Sequence, residues 1–341
     1  MLLSEFDFSL PDKLIAQSPL ADRAGSRMLV VDRQENSFQD AYFGEFPAQL
    51  SESDVLVLNN TKVFPARLYG SLHTGAAIEL FLIDDLGDNV WTALARPGRR
   101  LKPGKLITFS SGLSATVLEK LDGGRVTVRF AADESIFDLI EKVGSTPLPP
   151  YIERGAVDDD RDRYQTVYAS SRGAIAAPTA GLHFTPNVLD QIREHGVWVV
   201  EITLHVGYGT FEPVRVDDLS VHSVIPEKFE MSTGAADVLN SAVSQKRRIV
   251  AVGTTTTRAL ESSFARHGRF VAERSLADLT VRPGHKFAAV GALLTNFHLP
   301  RSSLLVLVST FGGHELIMNS YRHAVGERYR FYSYGDCMFI R

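Results

Sequence analysis

Apolar residues in this chain come in short runs divided by polar turns, and the spacing of those runs predicts two textures. Met28–Asp32 and Asp54–Leu58 are apolar stretches of strand length and read as buried strands. The second runs into Asn59-Asn60-Thr61-Lys62, a polar turn of the kind expected at a strand's functional end. From Arg67 to about Phe130 the runs become short and evenly spaced: Ile78–Ile83, Val90–Ala95, Leu106–Phe109, Ala115–Leu118 and Arg125–Phe130. Turn signals such as Gly87-Asp88-Asn89, Pro103-Gly104 and Asp122-Gly123-Gly124 separate them. Evenly spaced strands without helices between them predict a small barrel or sandwich.

Helical periodicity returns at Ser135–Val143, with Ile136, Leu139, Ile140 and Val143 on one face. Pro147, Pro149 and Pro150 mark the return to the main domain. Thr185 before Pro186 is a helix start, Val188, Leu189 and Ile192 supply the buried face, and Gly196 the stop. A strand over 197–204, a helix over 234–245, a strand over 248–252 and a helix over 258–266 follow. After the apolar Ala292-Leu293-Leu294, residues 304–308 and 317–325 read as helical. The expected fold class is therefore α/β (mixed α+β), a main domain of residues 1–65 and 148–341 with an all-β barrel inserted at 66–147.

Composition narrows the function. The 341 residues carry a formal net charge of -4, which argues against a protein that coats nucleic acid through bulk positive charge. A local basic cluster remains at Arg96, Arg99, Arg100, Lys102 and Lys105, and its simplest reading is a solvated turn. Asp158-Asp159-Asp160 with Arg161, Asp162 and Arg163 reads as an exposed mixed-charge loop, since consecutive acids cannot all face one ion. A single cysteine, Cys337, supplies neither an internal disulfide nor a multi-thiolate metal site. No signal peptide pattern opens the sequence and no apolar run approaches membrane-spanning length, so a cytoplasmic soluble protein is the expectation.

Candidate chemistry concentrates between Ala176 and Pro213. Ala177-Pro178-Thr179-Ala180-Gly181-Leu182-His183-Phe184 and Leu204-His205-Val206-Gly207-Tyr208-Gly209-Thr210-Phe211-Glu212-Pro213 are turns that end apolar runs. Gly207-Tyr208-Gly209 does not fit a dinucleotide-binding motif, which must open a helix, because Pro213 follows four residues after Gly209 and Val214-Arg215-Val216 reads as extended. Gly253-Thr254-Thr255-Thr256-Thr257-Arg258 joins a strand to a helix start, where free N–H groups and hydroxyls favour an anion or polar ligand. His183, His205 and His298 share a context of Gly, Thr or Asn at the ends of apolar runs. No carboxylate-supported zinc spacing accompanies them, so general-base or orienting roles are preferred to metal ligation.

Taken together, these motifs resemble the S-adenosylmethionine:tRNA ribosyltransferase-isomerases of queuosine biosynthesis. The matching segments include Leu56–Leu68, Pro147–Ile152, Tyr164–Tyr168, Ala177–Phe184, Leu204–Phe211, Ala251–Thr255, Thr295–Pro300 and Tyr329–Asp336, essentially the whole chain. The resemblance implies a monomeric cytoplasmic enzyme with an inserted barrel. It also implies the reaction: the ribosyl moiety of S-adenosylmethionine passes to 7-aminomethyl-7-deazaguanine (preQ1) at the wobble position of tRNA. Epoxyqueuosine-tRNA forms, and adenine and methionine leave. S-adenosylmethionine is then a consumed substrate; no true cofactor, metal, membrane or stable protein partner is implied.

Laid against that chemistry, His183, His205, Thr210 and His298 are the candidate catalytic residues, His183 and His205 for proton transfer. Thr179, Thr210 and Glu212 would orient ribose hydroxyls, and Thr254, Thr255 and Arg258 would hold the methionine carboxylate. Asn59, Asn60, Lys62 and Arg67 would line the nucleic-acid side, with Pro178, Gly181, Gly207, Gly209 and Asn296 completing the substrate site. One departure stands out. The family often shows His-x-Met-His-x-Glu after the glycine segment, whereas this chain has His222-Ser223-Val224-Ile225-Pro226-Glu227, with Ile225 at the second histidine's place. The Thr256-Thr257 pair and residues 269–290 also depart from the family pattern. A tRNA-binding module without catalysis and a histidine-metal hydrolase are the competing readings.

Overall fold

The computed structural model describes residues 1–211 and 214–341, without the side chains of Thr210 and Phe211. The strands in chain order are β1 (Arg27–Asp32), β2 (Ser37–Tyr42), β3 (Asp54–Asn59), β4 (Thr61–Val63), β5 (Arg67–Leu72), β6 (Ala77–Asp85), β7 (Val90–Arg96), β8 (Leu106–Thr108), β9 (Ser114–Lys120), β10 (Arg125–Ala131), β11 (Ser171–Ala174), β12 (Trp198–Leu204), β13 (Glu227–Met231), β14 (Arg248–Val252), β15 (Glu273–Ala277), β16 (Ala292–Asn296) and β17 (Cys337–Ile340). The helices are α1 (Ile136–Val143), α2 (Asp160–Arg163), α3 (Pro186–Glu194), α4 (Thr233–Ser244), α5 (Thr254–His267), α6 (Ser303–Gly312) and α7 (His314–Gly326).

Nine strands form one sheet in the order β15-β13-β12-β3-β14-β16-β17-β1-β2. At its centre β12, β3, β14 and β16 run parallel. Their near-continuous apolar sequences follow from burial on both faces. In β3, Val55 and Val57 enter the core beneath α4 to α7, while Leu56 and Leu58 enter the opposite core with Val188, Leu189 and Ile192 of α3.

The mixed α/β expectation holds, and so does the inserted barrel. β5 to β10 close into a six-stranded antiparallel barrel in the order β10-β7-β6-β5-β8-β9. Alternate residues point inward, with Trp91, Ala93 and Ala95 of β7 and Val126, Val128 and Phe130 of β10 in one core. α1 packs Ile136, Leu139 and Ile140 onto that core, as its periodicity requires. Chain entry and exit are pinned together: Arg67 and Ser145 exchange backbone hydrogen bonds at 3.3 and 2.8 Å.

Three local expectations change. The helix read as 258–266 begins at Thr254, so the four threonines form its first turn rather than a loop. Residues 214–216, read as extended, form no strand. Asp160, read as part of an exposed loop, is 1% exposed. Arg154 grips it at 2.6 and 2.7 Å, the Tyr334 hydroxyl donates at 2.8 Å and the Val157 N–H at 2.9 Å. Asp159 and Asp162 stay exposed, so the run splits by side-chain direction, which composition cannot reveal.

Candidate active site at the carboxyl ends of the parallel strands

In an open parallel sheet, the loops beyond the strands' carboxyl ends form the natural ligand crevice. Here those loops are Asn60-Thr61 after β3, His205–Gly209 after β12, Gly253 after β14 and Phe297-His298 after β16. They surround a cavity of about 50 Å³ walled by Ala176, Ala177, Pro178, Thr179, Ala180, Val206, Thr254, Thr255, Thr295, Asn296, His298, Leu304, Tyr151, Tyr164, Tyr332 and Ser333. Beside it lies a cleft of about 760 Å³ between sheet and barrel, lined by His205, Gly207, Tyr208, Gly209, Glu227 and Lys228 on one side and Asp84, Asp85, Trp91 and Arg125 on the other. Thr254, Thr255, Gly209, Ile225, Glu227 and Arg258 line a smaller cavity that shares residues with both. The three neighbouring spaces, adjoined through these shared residues, make up one groove region.

The turn into α5 gives the groove its polar end. Gly253, at φ +93°, takes a backbone conformation other residues rarely adopt, and it opens a helix with no side-chain cap. Thr256 and Thr257 turn their hydroxyls back to the carbonyls of Val252 and Gly253, at 2.6 and 3.1 Å. Thr254 and Thr255 face the groove instead, beside the helix's first N–H groups. A carboxylate fits that position.

Arg258 lines the smaller cavity with Thr254 and Thr255, one turn further along α5. Its guanidinium pairs with Glu227 at 2.5 Å and donates to the carbonyls of Leu279, Ile225 and Ala277 at 3.2, 3.2 and 2.9 Å. The sequence places it at the helix start, but the structure turns it under the β13–β15 edge.

The three histidines occupy three different settings. His298 is in the wall of the small cavity, with Nε2 2.9 Å from the Thr295 hydroxyl and its backbone N–H donating to the Tyr321 hydroxyl at 3.0 Å. Burial holds its pKa down at about 3, so it is neutral. His205 lines the cleft, its Nδ1 2.8 Å from the Thr61 hydroxyl. When that hydroxyl donates to the Ser171 carbonyl at 3.4 Å, Nδ1 carries the proton and Nε2 keeps its lone pair. Burial, aided by Lys228, lowers the His205 pKa. Gly173, at φ +150°, lies against the ring, where a Cβ would sit 2.7 Å from it. His183 lies behind the cavity wall with both ring nitrogens engaged, Nδ1 to Ser26 Oγ at 2.7 Å and Nε2 to Asn296 Nδ2 at 3.3 Å. Burial first, then Arg23 and Arg330, lower its pKa to about 4.

The remaining sequence candidates divide. Pro178, Thr179 and Asn296 wall the small cavity; Gly207 and Gly209 line the cleft. Gly181 packs beneath the Tyr168 hydroxyl instead. Asn59 is fully buried, its amide stapling β3 to β12 through the Leu204 carbonyl and N–H, both at 2.9 Å. Asn60 bonds Glu201 and Thr203 at 3.1 and 2.7 Å, and Arg67 pairs with Glu79 across β5 and β6 on the barrel's outer face. Lys62 faces a separate hollow with Glu141, Arg161 and Gln165. Thr210's side chain and all of Glu212 lie outside the described residues. Sequence reasoning missed Tyr151, Tyr164, Tyr332 and Ser333. Their signal was the aromatic density of Tyr329–Tyr334 beside the Pro147–Tyr151 turn, matched as motifs but given no role. Among the described residues no group of three His, Cys, Asp or Glu side chains is arranged to hold a metal.

A largely apolar cavity beside an uncapped helix start, next to a cleft under a β-barrel, defines an α/β protein with its ligand crevice at the carboxyl ends of the parallel strands. The comparisons are specific. The chain belongs to the queuosine biosynthesis protein family, whose model matches residues 3–340. S-adenosylmethionine:tRNA ribosyltransferase-isomerase of Trichlorobacter lovleyi is 45% identical over 340 residues, and that of Syntrophotalea carbinolica 47% over 342, each covering all of both chains. The crystal structure of S-adenosylmethionine tRNA ribosyltransferase from Thermotoga maritima is 36% identical, covers 99% of this chain and 100% of its own, and superposes with a TM-score of 0.56.

Proposed function

We propose that this chain transfers and isomerises the ribosyl moiety of S-adenosylmethionine onto the aminomethyl group of preQ1 at the tRNA wobble position. The products are epoxyqueuosine-tRNA, adenine and methionine. Similarity at 45–47% identity across the full length to relatives named for this reaction carries the reading. The lining of the groove is compatible with it. Adenine enters the small cavity among Pro178, Tyr151 and Tyr332, and the methionine carboxylate meets the N–H groups and hydroxyls of Thr254 and Thr255. The wobble base arrives through the cleft, beside His205.

Three proton movements follow from the chemistry. The sulfonium acidifies the adjacent 5′ carbon, which gives a proton to a base; the departing adenine gains one; the attacking amine loses one. His205 is the base we favour, because its neutral Nε2 is unclaimed by the fold and the ring borders the cleft. A discontinuous catalytic domain, 1–65 and 148–341, would hold both sites, and the 66–147 barrel would close over the tRNA.

The test is incubation with S-adenosylmethionine and preQ1-tRNA, followed by chromatography of adenine and of the digested nucleosides. Adenine and the epoxide nucleoside should appear together. Tight tRNA binding with neither product would sink the reading in favour of a binding module. In active protein, His205→Gln should lower kcat by about a hundredfold or more and remove the acid limb of the pH profile.

A further inference from the structure

The orientation of the Asn296 side chain is fixed by a group that can only accept. The Tyr332 carbonyl lies 3.0 Å from Asn296 Nδ2, so the amide nitrogen faces it. Nδ2 then also donates to His183 Nε2 at 3.3 Å, which forces the His183 proton onto Nδ1, where it is given to Ser26 Oγ at 2.7 Å. Tyr332 is itself held at φ +75°, a left-handed conformation that sets the direction of the neighbouring backbone. The outcome is one leftover atom. Asn296 Oδ1 is buried and has no hydrogen-bond partner, in a residue that walls the small cavity.

A buried acceptor left unpaired is costly, and a ligand that satisfies it gains accordingly. The rest of the wall tells what kind of ligand. Ala176, Ala177, Val206 and Leu304 with the Tyr151 and Tyr332 rings suit a flat heterocycle better than a polyol. What Asn296 lacks is a single donor; the Tyr164 hydroxyl, also buried and unpartnered, lines the same cavity and can take a second polar edge of the ring. We propose that Asn296 Oδ1 is the specificity acceptor for the exocyclic amine of an adenine in this cavity. His183 is the positioning residue that keeps the amide turned that way. The inference rests on the proposed S-adenosylmethionine activity and deepens it. Admitting a purine requires the wall to widen beyond the present cavity of about 50 Å³.

The experiment compares S-adenosylmethionine with its analogue bearing hydrogen in place of the adenine 6-amino group, by calorimetric binding and by steady-state kinetics. Wild-type protein should prefer the amine by about 10- to 100-fold. In Asn296→Ala that ratio should fall towards one, through weaker binding of S-adenosylmethionine with the analogue unaffected. Asn296→Ser should do the same and serves if the alanine variant fails to fold. His183→Ala should lower the ratio and raise KM while kcat stays within about tenfold. A ratio that survives in Asn296→Ala or Asn296→Ser overturns the acceptor role. A collapse of kcat in His183→Ala with KM and the ratio unchanged overturns the positioning role and makes His183 a proton-transfer group. Wild-type protein that binds neither compound and releases no adenine brings down the proposed activity as well. Adenine release with no preference for the amine removes this inference alone.

Discussion

At His183 and His298, burial settles protonation before any chemistry begins. Both are lowered, to about 4 and about 3, from the ordinary imidazole value near 6.5. Between those values and about pH 6.5 the unfolded chain takes up protons that the folded chain refuses. The stability they contribute is therefore complete above about pH 6.5 and is lost as pH falls through that window. For fully buried His183 the linkage amounts to about 3 kcal/mol. Urea midpoints should drop between pH 6.5 and 4, and His183→Gln should flatten that drop; parallel curves would show that His183 does not titrate differently on unfolding. Residue identity was legible here, while residue setting was not. His183, His205 and His298 look alike in sequence, each beside Gly, Thr or Asn, yet they sit behind a wall, on a cleft and in a cavity. Asn59 makes the same point: a polar residue at a strand end reads equally as a ligand contact or a staple, and only its register against Ile202 shows the staple.

The helix that follows β14 shows how an element's start can hide. Threonine is a poor helix former, so a run of four reads as loop. Tertiary structure overrides that preference, because the run is buried and two hydroxyls bond the carbonyls four residues back. Moving the helix start to Thr254 is what moves Arg258 a full turn away, onto Glu227. Side-chain exposures of 9% and 5% make this a buried pair, and removing one member of such a pair typically costs about 3–5 kcal/mol. Arg258→Met should therefore lower the urea midpoint strongly, and adding Glu227→Gln should recover part of the loss. A variant of unchanged stability with only a raised KM for S-adenosylmethionine would instead return Arg258 to the carboxylate. Strands were the more legible elements: β14 and the barrel strands other than β5 fall where apolar alternation or apolar runs put them, because their faces are buried.

Across the whole molecule, a chain of net charge -4 has to meet a polyanion through local patches. Arg96, Arg99, Arg100 and Lys102 are exposed on the barrel, and they make no ion pair among the described residues. Gly98, in the same turn, packs near Gly124, whose neighbours Asp122, Gly123 and Arg125 line the cleft. The patch thus borders the opening through which the wobble base would enter. Arg99→Glu with Arg100→Glu should weaken tRNA binding by about tenfold at low salt and reduce the salt slope by about two, with S-adenosylmethionine binding unchanged. An unaltered slope would assign the phosphate contacts to the main domain. The sequence by itself determined the α/β architecture, the barrel strands other than β5 and the polar loops at strand ends, because apolar period, turn residues and motif matches are local properties of the chain. Tertiary structure decided which loops share a groove, that Arg258, Asn59 and Asp160 face inward, and that Asn296 keeps one acceptor free. Those outcomes depend on strand order and on side-chain partners distant in sequence, such as Asn296 with His183 and Tyr332, which no local pattern encodes.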